Sequence, residues 1–373
     1  MGFYIHVPFC GSICSYCHFS RTADHQPVVR LRYVEAVLQE FELRWKSCPT
    51  LRGGRLLETA YVGGGTPSEL EPELMERLLC GTVGRLSHDP DFELTCEANP
   101  ESLTEEKARR WLAAGVNRIS LGVQSLDENV LKLLGRDCQP ETARRALALA
   151  CNTFARVSAD WIIGPGLNEE ALLAELREAL DLGVEHFSLY ILELHQGTRL
   201  EESVRRGMVR LPADEQTERL YLAAVDYLAG QGIRQYEVSN FARPGAESRH
   251  NRNYWRRKPW LGLGPSAHGC YGPRRYGNIS NLDQYCDSVE KGILPEGMID
   301  PLDVSSRLLE RIILALRTVE GVPLAWLQPG CLDLETGASE GLWLVENGHL
   351  KLKSQGFLVI DGIEELIQPH PAG

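Results

Sequence analysis

Residues 3–21, FYIHVPFCGSICSYCHFSR, place Cys10, Cys14, Cys17 and His18 in one short loop. Three thiolates and an imidazole at this spacing can do three different kinds of chemistry. The segment CSYCH is C-x-x-C-H, the spacing that attaches a c-type haem. A set of three cysteines and one histidine closes a tetrahedral zinc site. Three thiolates alone hold an iron–sulfur cluster and leave one iron open, which makes His18 a bystander. A second group of polar residues closes or punctuates apolar runs further on. Gly63, Gly64, Gly65 and Thr66 end one run, Glu97 and Asn99 a second and Gln124 a third, and Asp160 lies on a fourth. GGGTP is neither G-x-G-x-x-G nor long enough for a Walker loop, so it is not expected to cradle phosphate. Bare glycine backbone does let a ligand touch N–H and C=O groups, which suits an ammonium or a carboxylate.

The elements that must carry these residues alternate between short strand-like and longer helix-like periodicity. Strands are expected at 3–7, 57–65, 92–99, 116–125, 156–164 and 186–194. The helices between and after them are expected near 31–45, 72–86, 104–115, DENVLKLLG, ETARRALALAC, NEEALLAELREALDLG and 214–232, with Thr104 as N-cap and Gly115 as C-cap. About six consecutive βα units point to a parallel α/β fold, a barrel or a doubly wound sheet, with its site at the C-terminal ends of the strands. Any one of the polar residues is explained by a turn or a cap, but five sets on the same rim argue for a shared site. From about residue 235 the pattern turns irregular and is rich in Gly, Pro and Trp. A helix at 305–322 and a hairpin at 348–360 then give the tail a winged-helix-like character. The expected division is 1–240 for the α/β unit, 241–298 for an intervening segment and 299–373 for a small C-terminal domain.

Composition narrows the chemistry. The 373 residues are 43% hydrophobic and 24% charged with a formal net charge of −12, an ordinary globular balance that argues against a dedicated nucleic-acid partner. No apolar run is long enough to span a bilayer, though peripheral contact with a membrane stays open. The strand that starts at residue 3 leaves no leader to expect. The remaining cysteines, 48, 80, 96, 138, 151, 270, 286 and 331, are scattered like reduced thiols, so a cytoplasmic location is expected and the exported cytochrome loses ground.

C-x-x-x-C-x-x-C after a first strand, with Tyr16 before the last cysteine, and GGGTPS after the second strand resemble the radical S-adenosylmethionine (SAM) superfamily. YIHVPFC, YVGGGTPS, CEANPESL, GVNRISLGVQSL, SRHNRNYW and LGLGPSAHG resemble, within it, the oxygen-independent coproporphyrinogen dehydrogenase group and its haem-chaperone branch, over nearly the whole chain. The resemblance implies an incomplete (β/α)6 barrel with a small C-terminal helical domain. It implies a [4Fe–4S] cluster on Cys10, Cys14 and Cys17. It implies SAM beside Tyr4, Tyr16, Gly64, Gly65, Thr66, Glu97, Gln124, Arg136 and Asp160, with Arg136 suited to the methionine carboxylate. In the segment 241–298 it implies a porphyrin-side position, with His250 of HNRNYW as a haem ligand, Tyr254 and Trp255 stacking on the ring, and Arg249, Arg252, Arg256 and Arg257 near its propionates. The implied partners are haem or a porphyrin, haem-accepting proteins and an electron donor.

Two departures separate the branches. Phe19 stands where the dehydrogenases carry a further cysteine, and no extension precedes the cluster loop, so a haem chaperone is expected over the decarboxylating enzyme. A radical methyltransferase or related tailoring enzyme is a third reading, but it leaves HNRNYW unexplained. IIGPGLNEE and LHQGT (194–198) depart from the family's usual loops after the fifth and sixth strands, on the substrate side. The oligomeric state is not legible.

Overall fold

The computed structural model describes residues 1–24, 26–47, 56–272 and 274–369, so Cys48 lies outside the described residues. Six strands, β1 (Gly2–Val7), β2 (Leu57–Gly64), β3 (His88–Ala98), β4 (Arg118–Gln124), β5 (Arg156–Ile163) and β6 (His186–Ile191), lie side by side in chain order. Every neighbouring pair among them is parallel. Right-handed crossovers in a sequential order carry all the connecting helices to one face, which is the barrel type of winding rather than the doubly wound one. The helices are α1 (Pro27–Ser47), α2 (Pro72–Gly81), α3 (Glu105–Ala113), α4 (Glu128–Leu133), α5 (Pro140–Thr153), α6 (Glu169–Asp181), α7 (Arg199–Arg205) and α8 (Asp214–Gly230). Thr104 caps α3 by accepting from the Lys107 amide, and Gly115 follows it at φ +94. The helix expected over 72–86 stops at Gly81 and continues as a separate 3-10 turn, Val83–Arg85.

Period-two alternation divides the two faces of the sheet. Phe3, Ile5 and Val7 of β1 are fully buried towards the helices, where Phe3 meets Phe41 of α1 edge-on at 6.0 Å. Trp161 of β5 donates to Glu175 of α6 at 2.8 Å. The intervening positions, Tyr4, His6, Glu97, Ser120, Gln124 and Asp160, line a cavity on the opposite face. The apolar half of each strand builds the core and leaves the polar half for chemistry.

The sheet does not close. Beyond β6 it continues through antiparallel β8 (Asn240–Ala242) to β7 (Arg234–Gln235). Beyond β1 it continues through parallel β9 (Trp260–Leu263) to antiparallel β10 (His268–Tyr271), β11 (Arg274–Asn278) and β12 (Glu296–Pro301). The stretch with irregular periodicity therefore carries the sheet's outer strands, all but β12 of five residues or fewer and so too short for a periodic signal, along with α9 (Arg249–Trp255) and α10 (Leu282–Glu290). A buried polar knot ties this extension to α1. Glu40 accepts from the Gly264 amide (2.9 Å), the Tyr285 hydroxyl (2.7 Å) and Asn278 Nδ2 (2.8 Å), while pairing with Arg44 at 2.7 Å.

The C-terminal part has its own apolar cluster, with Ile312, Leu316, Val322, Trp343, Leu350 and Phe357 at its centre. Its sheet runs β13 (Val322–Pro323), β15 (His349–Leu352), β14 (Trp343–Glu346), flanked by α11 (Val304–Leu316), α12 (Leu334–Ser339), α13 (Ser354–Leu358) and α14 (Ile360–Leu366). Two expectations need correction here. The helix expected to reach residue 322 ends at Leu316, and Val322 enters β13. The hairpin spans 343–352 rather than 348–360, because Asn347 and Gly348, at φ +51 and +73, form the two-residue turn that sets its register.

Candidate functional site

A cavity of about 980 Å³ opens on the face of the sheet away from the helices. Tyr4, Cys10, Cys14, Tyr16, Cys17, Gly64, Gly65, Thr66, Glu97, Gln124, Arg136 and Asp160, all expected from the sequence, line it. His250 does not.

The cysteine loop leaves β1 and is pinned by backbone bonds to the glycine turn. Gly65 N donates to Val7 O and Thr66 N to Phe9 O, both at 2.7 Å, and Cys10 N bonds Thr22 O at 3.0 Å. A Cβ on Gly65 would stand 2.7 Å from Phe9 O and 3.0 Å from Cys10 Sγ, so glycine is required for this close approach. Burial pushes the Cys10 thiol up to about 11 and raises Cys17, and the neighbouring thiols add to both effects. Thiols raised in this way, as Cys10 and Cys17 are, ionise readily only beside a cation. Thr66 Oγ1 lies 3.6 Å from Cys10 Sγ, and Arg136 Nη1 lies 3.6 Å from Cys14 Sγ. Donors placed on the sulfurs in this way are what a thiolate-held iron–sulfur cluster uses to tune its potential. Among the described residues no three His, Cys, Asp or Glu side chains converge on a point for a single metal ion. The donor set fits the cluster.

Two half-buried carboxylates face the same space. Glu97 accepts from the Tyr61 hydroxyl at 2.7 Å and from Gly64 N at 3.0 Å; burial lifts it to about 7, and the charge of Asp160 adds to the rise. Asp160 accepts from Ser120 Oγ at 3.3 Å and is lifted by burial to about 6. Acids held this far up bind a cationic ligand and release protons on doing so. The amides of Gly64, Gly65 and Thr66 are all spent inside the protein, so they offer a ligand no N–H donor. Gln124 sits at φ +69, a backbone conformation that costs a non-glycine residue energy, where β4 meets the cavity. Arg136 spends Nη2 on Gly122 O at 2.8 Å and is paired with Glu101 at 3.6 Å, and its buried Nε has no partner among the described residues.

The sequence reading passed over His6, which joins Tyr4 OH (3.1 Å) to Ser20 O (3.0 Å) and so ties β1 to the far end of the cysteine loop. The alternation of Tyr4 and His6 on one strand face was the available signal. Ser120, Tyr190 and His268 also line the cavity.

His250 sits in α9 with 1% of its surface exposed. Its Nδ1 pairs with Thr59 Oγ1 at 2.8 Å, and its ring stacks on Tyr61 at 5.2 Å and meets Tyr254 edge-on at 4.7 Å. Burial drops its pKa to about 3, and Nε2 has no partner among the described residues. As folded, the ring supports Tyr61 and Tyr254 from beneath, and only Tyr254 of that motif reaches the cavity. The neighbouring arginines are engaged elsewhere. Arg252 and Arg256 pair with Glu320, Arg257 with Glu310, and Arg249 with Asp89. Both altered stretches touch the cavity, IIGPGLNEE through Ile162 at its start and 194–198 through His195. Among the described residues no helix is long and apolar enough to cross a membrane.

Residues 4–179 match the Radical SAM superfamily. The chain is 36% identical over 371 residues to a protein named heme chaperone HemW from Mycobacterium tuberculosis, covering 97% of this chain and 93% of that one. It is also 36% identical over 389 residues to the mitochondrial radical S-adenosyl methionine domain-containing protein 1 of Bos taurus, covering 96% and 85%. The solved structure of coproporphyrinogen III oxidase (HemN) from Escherichia coli superposes with a TM-score of 0.81 at 22% identity, over 98% of this chain and 89% of that one, and shares the fold.

Proposed function

The chain belongs to the radical SAM superfamily, in the family of the heme chaperone HemW, and we propose that it binds haem and hands it to haem-accepting proteins. The observation that carries this reading is the 36% identity, over 97% of the chain, to a protein named for that activity. The large cavity, with thiols at one end and Tyr254 and Trp260 at the other, is in keeping with it. Phe19, in the place of a further cysteine, favours the chaperone over the decarboxylating enzyme.

Cys10, Cys14 and Cys17 would hold a [4Fe–4S] cluster, and the cavity beside them would hold SAM; together these supply one-electron chemistry. Glu97 and Asp160 balance the positive charge of the sulfonium and ammonium. Gly64, Gly65 and Thr66 keep the cysteine loop in register against β2. Tyr4 and Tyr16 wall the pocket, Gln124 closes it at the end of β4, and Arg136 steadies the Cys14 sulfur. His250, enclosed by Thr59, Tyr61 and Tyr254, is closed to haem as folded. An electron donor and a cytoplasmic setting belong to the same reading.

The test is anaerobic incubation of the reconstituted protein with coproporphyrinogen, reductant and SAM, run beside a haem titration. Haem binding without protoporphyrinogen formation supports the proposal. Turnover to protoporphyrinogen overturns it in favour of the oxidative decarboxylase.

A further inference from the structure

The two loops that frame the cavity mouth bring together residues far apart in the chain. His18 follows the last cysteine of the cluster loop, and His195 lies in LHQGT, the altered segment after β6. Their ring centroids are 3.5 Å apart with the planes tilted by 44°. On its other side His18 stacks with Phe19 at 4.9 Å and 28°. Phe19 is 59% exposed, and Tyr190, Ile191 and Leu194, from the His195 side, are 45%, 37% and 39% exposed. His18 is exposed and both histidines line the cavity.

Resting on the haem reading above, we propose that His18 is the protein ligand to the haem iron, held in place by His195 and Phe19, with the porphyrin lying on the apolar ledge at the cavity mouth. A neutral imidazole is a common axial ligand to haem iron. An imidazole already packed between two rings loses little further freedom on binding, which favours affinity. Large side chains exposed together beside a cavity mark a surface made for an apolar partner, and a porphyrin face is flat and apolar. The two histidines cannot be opposite axial ligands of one iron, because such ligands approach from opposite faces of the macrocycle. His18 takes the role because, among the described residues, the rings packed on it are Phe19 and His195 and no carboxylate is within ion-pair distance of it, whereas His195 Nε2 already has the Glu193 carboxylate at 3.5 Å. His250, 1% exposed with Nδ1 bound to Thr59, offers iron no approach as folded.

The experiment is an anaerobic haem titration of wild type, His18→Ala, His195→Ala, His250→Ala and, as a surface-histidine control, His349→Ala, read by the Soret band and the ferric EPR spectrum. Apo and cluster-loaded protein are both titrated, so that a lost cluster does not mask a lost ligand. The expected result is that His18→Ala weakens haem binding at least about tenfold with a changed ferric spin state, and that added imidazole restores the wild-type spectrum. His195→Ala should weaken binding by a smaller factor and keep the wild-type ligand signature. A His18→Ala protein with wild-type affinity and spectrum overturns the assignment, as does a ligand signature lost only in His250→Ala. Wild type that binds no haem overturns the haem reading itself, and this outcome is distinct from either of those two.

Discussion

Glu97→Gln tests whether the cavity is built for a cation at a cost in stability. Glu97 is half-buried in the cavity wall, and desolvation there moves its pKa from the ordinary 4.5 to about 7. A carboxyl raised on folding keeps a proton that the unfolded chain has lost. Its stabilising contribution is therefore whole below the unfolded value and is lost as pH rises through the folded one. Moving from 4.5 to about 7 is worth roughly 3 kcal/mol, lost between about pH 4.5 and pH 7. Glutamine has nearly the shape of the protonated acid, keeps its carbonyl acceptor and cannot ionise. Near pH 5 the two proteins should therefore match within about 1 kcal/mol, since each leaves Tyr61 or Gly64 competing for one acceptor. At about pH 8 the variant should be more stable by roughly 2–3 kcal/mol, while binding SAM about tenfold more weakly for want of the carboxylate charge. Urea denaturation of the apo protein at both pH values, with SAM binding measured on cluster-loaded protein, gives both numbers. A variant less stable than wild type by the same amount at both pH values would refute the reasoning, because Glu97 would then be ionised throughout and satisfied by Tyr61 and Gly64.

Arg44→Met strips the ion partner from Glu40, whose side chain is 0% exposed, and should lower stability by about 3–5 kcal/mol in chemical denaturation; a loss below about 1 kcal/mol would contradict the knot between α1 and the outer strands. Gly65→Ala forces a Cβ to within 2.7 Å of Phe9 O and should cut iron incorporation while leaving the circular dichroism of the fold intact, so normal iron content would show that the loop yields there. Cys14→Ser should fail to bind about four irons per chain on anaerobic reconstitution, whereas His18→Ala should keep them, and loss of iron in both would put His18 among the cluster ligands.

The inner βα units were legible because each strand there carries enough residues for parity to show. Phe3, Ile5 and Val7 announce a buried face and leave Tyr4 on the other. The cavity's cluster end was legible for a local reason, since Cys10, Cys14 and Cys17 share one loop. The outer strands were not. β9 is four residues long and joins β1 across more than half the chain, and nothing in WLGL advertises that partner. The burial of His250 under Tyr61 depends on where α9 docks against β2, which its own seven residues do not encode. The meeting of His18 with His195 arises in the same way, from two loops that only the curvature of six successive strands brings together.

The central claim is that this chain delivers haem, and the most direct measurement is transfer itself. Haem-loaded protein, with its cluster reconstituted, is mixed anaerobically with an apo haem-accepting protein, and the acceptor's Soret band is followed with and without SAM and reductant. Haem delivery should exceed that from free haem buffered by albumin, and delivery should fail when Cys14→Ser replaces the wild type. Haem that stays on the protein with every acceptor and reductant state tried, or that leaves at the same rate without the cluster, would contradict the account.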